Sequence, residues 1–204
     1  MKIAIIGHGN VGGALAGRWL KAGHEVLVGA RNPKSEKLER LLAKHPEIVV
    51  MGVAKAVQSA EVLLIATPPE IASTLVEQWG DVSGKTIIDA TNAVRTKPDP
   101  YPTAYHAFAA QTEAAVVKCF NTTGYENMLN PNYGDQALDL FMAGDSDTAK
   151  EIAQQLAVDA GFAACYDFGK SDRVELLEQF ALAWINLAIF QGHGRSIGVK
   201  LLKR

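Results

Sequence analysis

Three glycines in six residues, Gly7, Gly9 and Gly12, follow a short apolar run and open a segment with helical periodicity. The hexapeptide Gly7-His8-Gly9-Asn10-Val11-Gly12 fits G-x-G-x-x-G, a spacing that binds phosphate through backbone rather than side chains. The first glycine makes the sharp turn, the second lets main chain approach a pyrophosphate, and the third lets helix and strand pack closely. A helix over residues 10–22 presents free N–H groups and a positive dipole end to phosphate oxygens. His8 then borders the pyrophosphate. A glycine-rich turn alone is weak evidence. Here a strand precedes it (2–6), a helix follows, and a second strand (25–29) comes next, which is the context of a dinucleotide site.

The residues after the second strand select the dinucleotide. A site for the unphosphorylated ribose calls for Asp or Glu there, to accept from the 2′-hydroxyl. This chain has Ala30-Arg31-Asn32, with Lys34 close behind. A carboxylate would repel a 2′-phosphate, whereas the Arg31 guanidinium binds one through parallel charge-assisted bonds, with Asn32 and Lys34 beside it. NADP is therefore expected over NAD; the plainer alternative makes Arg31 a solvated surface charge.

In a doubly wound sheet the ligand lies beyond the carboxyl ends of the strands. Three further segments emerge at that edge. Thr67-Pro68-Pro69-Glu70 follows a buried run at 61–66, Thr91-Asn92 follows one at 85–90, and Asn121-Thr122-Thr123-Gly124-Tyr125-Glu126 follows one at 116–120. Thr67 with Glu70, and Thr123 with Glu126, have capping-box spacing, which by itself explains the threonines. Ala66, Thr67, Pro68 and Asn92 are placed to frame a nicotinamide, and Asn121 to face the acceptor; either amide alternatively satisfies turn backbone. No acid or base stands out. Tyr166 and Lys170 are four apart, but Asp167-Phe168-Gly169 between them is a strand end and turn, not the helix that would align them. His106, in the loop after the 85–90 strand, and His193, past the last helix, read as surface histidines. A dinucleotide site without a proton donor suits hydride transfer between two stacked rings, which needs alignment more than a proton relay.

These residues need a scaffold, and the chain supplies one. Apolar runs alternate with amphipathic segments in βαβ fashion: strands at 48–51, 138–143 and 162–168 join those above, and helices fall at 33–43, 146–160 and 172–191. The fold class is α/β, a Rossmann-type doubly wound, mainly parallel sheet with a small C-terminal helical portion. Residues 1–145 are expected to form the NADP-binding domain and 146–204 a smaller C-terminal portion. With 204 residues, 48% hydrophobic and 21% charged, the chain can bury a full core. A net charge of −2 argues against nucleic acid. The apolar stretch 180–190 is too short to span a bilayer, and no signal peptide precedes the first strand. Cys119 and Cys165, both in predicted strands, read as reduced core thiols. A cytoplasmic protein is expected. The 172–191 helix is apolar over most of its circumference, so its second face is expected to meet another subunit, in a homodimer, or to line a pocket; the plainer alternative is a central core helix.

The assembled motifs resemble the coenzyme F420-dependent NADP oxidoreductase family, over the whole chain. KIAIIGHGNVGGALAGRWLKAGHEVLVGARN is similar to its NADP fingerprint, including the arginine for the 2′-phosphate, here Arg31. IATPPE, VVKCFNTTGYENM and FMAGDS resemble its strand-end loops, and YDFGKSDRVELLEQFALAWINLAIFQGHGRSIGVKLL its C-terminal helix and tail. The family often has Ser or Thr before the arginine, where Ala30 stands here. The resemblance implies NADP(H) as cofactor, F420 or a flavin as acceptor, and a dimer built on the C-terminal portion. The bacterial members and the related NADPH domain of metalloreductases leave two alternatives: reduction of a small carbonyl, imine or ferric substrate, and an NADPH-binding redox sensor without turnover.

Overall fold

The computed structural model describes residues 1–204. In chain order the elements are β1 (Lys2–Ile6), α1 (Asn10–Lys21), β2 (Glu25–Gly29), α2 (Glu36–Lys44), β3 (Val49–Met51), α3 (Val53–Ser59), β4 (Val62–Ile65), α4 (Ala72–Val76), β5 (Thr86–Asp89), α5 (Ala104–Gln111), β6 (Ala115–Lys118), α6 (Tyr125–Leu129), β7 (Asn132–Tyr133), β8 (Gln136–Ala137), β9 (Asp139–Met142), α7 (Asp147–Asp159), β10 (Ala164–Asp167) and α8 (Val174–Ile185). Six parallel strands form one sheet in the order β3-β2-β1-β4-β5-β6. The order reverses between β1 and β4, which puts a crevice at their carboxyl ends.

Both faces of that sheet are covered, which is why its strands are nearly continuous apolar runs. Along β1, Ile3 and Ile5 point into one core cluster with α1 and α7 residues such as Leu15, Trp19 and Leu156. Ala4 and Ile6 point into the other, with Val57, Leu75 and Phe108 from α3, α4 and α5. The side chains alternate because successive strand residues face opposite sides. Trp19 Nε1 donates to Leu156 O at 2.9 Å, so α7 is fastened to α1 as well as packed on the sheet.

The two late strands expected at 138–143 and 162–168 are β9 and β10. They pair with each other in parallel rather than joining the main sheet. A single antiparallel bridge between Lys118 and Ala143 connects them to β6. Asp139, buried in β9, accepts from Lys200 Nζ (2.9 Å) and Leu201 N (2.8 Å), which straps the C-terminal tail back onto the body. Trp184 Nε1 holds the same tail at Ile197 O (2.9 Å).

Four local expectations need correction. The second helix starts at Glu36 rather than Pro33, because Asn32 Oδ1 accepts from Lys34 N (3.0 Å) and forms a local turn instead of a cap. Neither capping box forms. Pro69 begins a 3₁₀ turn (Pro69–Ile71) that has no capping side chain, and Glu70 accepts from Thr96 Oγ1 instead. Gly124, not Thr123, precedes α6; Thr123 Oγ1 accepts from Asn127 Nδ2 (2.7 Å), and Glu126 pairs with Arg195. His106 lies on α5, not in a loop, with Nδ1 2.8 Å from Thr103 Oγ1. Helices α3 and α5 and the small β7–β8 hairpin were not foreseen. The last helix runs as 3₁₀ turn, α8 and a π-helical turn (Asn186–Phe190), close to the expected 172–191. No helix is long and apolar enough to cross a membrane.

Candidate functional site: a dinucleotide cleft and an adjoining aromatic cavity

Each glycine of the turn meets a different constraint. Gly7 has φ +104°, and a Cβ there would lie 2.4 Å from Ala66 O, so β1 and the β4 loop can approach only through glycine. A Cβ on Gly12 would sit 2.1 Å from Gly7 O and 2.9 Å from Ile5 Cγ2, so α1 rests directly on the strand. Gly9 is the reverse: nothing lies within 4 Å of its Cβ position, leaving the space open where main chain would meet a pyrophosphate. The residues thus fit a dinucleotide. Gly13 N donates to Gly9 O (2.8 Å), while the N–H groups ahead of it have no helical acceptor and remain for phosphate.

One cleft of about 250 Å³ collects Gly7, His8, Arg31, Asn32, Ala66, Thr67 and Pro68 from the expected set. Arg31 is exposed and makes no ion pair, leaving its guanidinium free for an anion. Lys34 does not line the cleft; its neighbour Ser35 does. Ser35 precedes α2 but leaves its hydroxyl 3.1 Å from His8 Nε2, which ties the glycine turn to the loop after β2. Burial, then the Lys37 cation, holds the His8 pKa below its ordinary value, so this imidazole is neutral. Ser35 was missed because its role depends on a partner 27 residues away.

A second cavity, about 530 Å³, adjoins the first turn of α1. Asn10, Val11, Asn92 and Asn121 line it, against Tyr125, Trp184 and Phe190. Its volume lies within the ~300–1,000 Å³ of small-molecule sites. Gly9 and Asn10 also border a groove beside α2, so the glycine turn is the ridge along which the clefts meet. Arg195, from the tail, forms a wall: its guanidinium lies 5.5 Å from the Tyr125 ring centroid and 5.7 Å from that of Trp184, and Glu126 pairs with it. Arg95 contributes a cation that has no carboxylate partner. Sequence reading missed this cavity because α8, the tail and the β6 loop meet only in the folded chain.

Asn121 reaches the cavity through an unusual bend. Phe120 has φ +63°, a left-handed conformation costly for a bulky residue. Its ring is buried edge-on to Trp19 at 5.7 Å, and that packing holds the bend. Below lies a buried ion cluster. Lys118 Nζ is 2.9 Å from Asp89 Oδ2 and 2.6 Å from Glu178 Oε1, and donates to Thr91 O at 2.6 Å. Glu178 Oε2 also accepts from Ala93 N at 2.9 Å. The cluster locks the β5 loop carrying Asn92 to α8. Burial opposes the Lys118 charge, but Asp89 and Glu178 outweigh it and raise the pKa. Cys119 and Cys165 are free and buried, with sulfurs 3.6 Å apart; burial and the neighbouring thiol push the Cys119 pKa well up, as in an inert core pair.

The parallel sheet and the glycine turn define a Rossmann-type dinucleotide fold, and the relatives of this chain are NADP-dependent oxidoreductases. Residues 2–93 match the model of the family described as NADP oxidoreductase, coenzyme F420-dependent. It is 27% identical to the F420-dependent NADP reductase of Methanothermobacter marburgensis, over 98% of both chains. A crystal structure from Arthrobacter sp. FB24, of the F420-dependent NADP-reductase type, superposes over 100% of both chains with a TM-score of 0.86 at 26% identity. Metalloreductase STEAP3 of Rattus norvegicus is 28% identical over 79% of this chain, but the match spans only 32% of that protein's length.

Proposed function

We propose that this protein passes a hydride between NADP(H) and a planar ring acceptor, F420 or a flavin. Gly7, Gly9, Asn10, Val11 and Gly12 hold the pyrophosphate, with His8 at its border. Arg31, assisted by Asn32 and Ser35, takes the 2′-phosphate. Ala66, Thr67, Pro68 and Asn92 frame the nicotinamide, and Asn121 with α8 faces the acceptor. NADPH supplies the hydride; the chain supplies alignment and exclusion of water. Residues 1–145 hold the dinucleotide, and 146–204 hold the acceptor and a second subunit. Exposed apolar residues on α8 and the turn after it, Leu176 and Leu187 among them, support a homodimer. A cytoplasmic location is part of the same proposal.

One observation carries this reading: an aromatic-walled cavity opens at the first turn of α1, beside the cleft that holds Arg31. The test is titration of pure protein with NADPH and, in turn, F420, FMN, FAD and a ferric chelate, following NADPH oxidation. Turnover with a ring acceptor is expected. Tight NADPH binding with no turnover by any of them favours the redox sensor.

Reduction of a small carbonyl or imine has one observation in its favour, the Tyr125 phenol in the cavity lining. A general acid there contributes ~10²–10⁴-fold. A loss of that size in Tyr125→Phe, with a carbonyl or imine substrate, would establish the second reading.

A further inference from the structure

Asn121 is 3% exposed, lines the aromatic cavity, and has its amide fixed at one end only. Its Nδ2 donates to Asn92 Oδ1 (3.1 Å) and to Leu177 O (3.3 Å). Asn92 Nδ2 in turn donates to Asn121 O (3.0 Å). The side-chain oxygen of Asn121 has no donor at all. Turning the amide over would not repair this, because Oδ1 would then face Leu177 O, which can only accept. Both Nδ2 hydrogens are committed, and what remains is an acceptor. A buried amide oxygen without a donor is a cost that native proteins rarely leave uncompensated.

We propose that Asn121 selects the acceptor, taking a hydrogen bond from a ring N–H, so that the ring is a lactam or imide rather than a quinone. This rests on the hydride-transfer reading above and adds the chemistry that the ring must present. A ring with carbonyl oxygens alone offers Asn121 Oδ1 a second acceptor and leaves both groups unpaired, an arrangement that discriminates strongly. Asn92 is a positioning residue: with Leu177 O, its Oδ1 and Nδ2 hold the Asn121 amide in the orientation that leaves the side-chain oxygen without a donor. The Phe120 bend and the Lys118–Glu178 pair fix the two loops from which the asparagines come. Trp184 and Tyr125 supply apolar faces for such a ring.

The probes are FMN, whose ring carries an N3–H, and its N3-methyl derivative, which keeps the ring system and phosphate but has a methyl in place of that donor. Binding is read as quenching of flavin fluorescence, with saturating NADP⁺ present so that no turnover occurs. The wild-type protein is expected to bind FMN at least tenfold more tightly than the methylated ring. Asn121→Leu should bring the two affinities within about twofold of each other, with NADP⁺ affinity retained. Should Asn121→Leu fail to fold, Asn121→Ala serves instead, because it removes the same oxygen without adding volume and must narrow the same gap. Equal wild-type affinities, or no binding of either ring, overturn the proposal. So does a parallel loss of NADP⁺ affinity in Asn121→Leu, which would assign the oxygen to the nicotinamide carboxamide. A clear FMN preference without any NADPH oxidation on addition of FMN, F420 or ferric chelate would instead sink the hydride-transfer reading and leave the ring selection standing.

Discussion

Lys118 and Glu178 meet at 2.6 Å across the gap between β6 and α8, with the lysine wholly buried and the glutamate nearly so. Their contact joins the outermost strand of the parallel sheet to the helix that walls the aromatic cavity. Removing the cation leaves Glu178 and Asp89 buried without compensation. Lys118→Met is therefore expected to cost about 3–5 kcal/mol of unfolding free energy, whereas Lys2→Met, which breaks the exposed Lys2–Glu25 pair, should cost about 0–1 kcal/mol. Urea titrations of the two variants check the contrast. Equal losses would show that the buried cluster does not carry the packing of α8.

Arg31 governs cofactor choice if its free guanidinium takes the 2′-phosphate. Arg31→Ala should weaken NADPH binding by about 2–3 kcal/mol while leaving NADH nearly unchanged, since only NADPH loses charge-assisted bonds. Isothermal titration with both cofactors measures this. Equal weakening would assign Arg31 to the solvent.

Gly9 and Gly12 are two residues of one motif with opposite expected failures. A methyl on Gly9 meets no protein atom, so Gly9→Ala should keep its unfolding midpoint and lose NADPH affinity. A methyl on Gly12 drives into Gly7 O and Ile5, so Gly12→Ala should lose about 1–3 kcal/mol of stability before any binding is considered. Thermal melts with and without NADPH separate the two. A stable Gly9→Ala protein with unchanged affinity would remove the pyrophosphate from this ridge.

Stability should fall on mild acidification. Burial holds both His8 and His106 below their ordinary pKa; Lys37 adds to this at His8, and at His106 the acidic Glu175 offsets burial only in part. The folded imidazoles therefore stay neutral where the unfolded chain already takes up protons. Their contribution is intact above an unfolded pKa of about 6.5 and declines as pH drops from there toward the lower folded values. The unfolding midpoint is expected to decrease between about pH 7 and about pH 5, and less steeply in His106→Gln. An identical slope in that variant would exclude His106 as a source.

The local parts of this protein were written in its sequence. The Gly7–Gly12 spacing, the apolar runs of β1, β4 and β5, and Arg31 where a carboxylate is common all act over a few residues, so periodicity and residue type suffice to place them. The capping boxes at Thr67 and Thr123 failed although their spacing was right, because Glu70 and Glu126 found partners in Thr96 and Arg195, which no local pattern could name. Tertiary structure alone decided that β9 and β10 pair apart from the main sheet, that His8 reaches Ser35, and that the tail returns to place Arg195 over Tyr125 and Trp184. It also decided which atom of Asn121 is left free. Hydrogen-bond satisfaction is a property of the whole closed chain: the donor or acceptor left over is known only when every competing partner, Leu177 O among them, has been brought within reach.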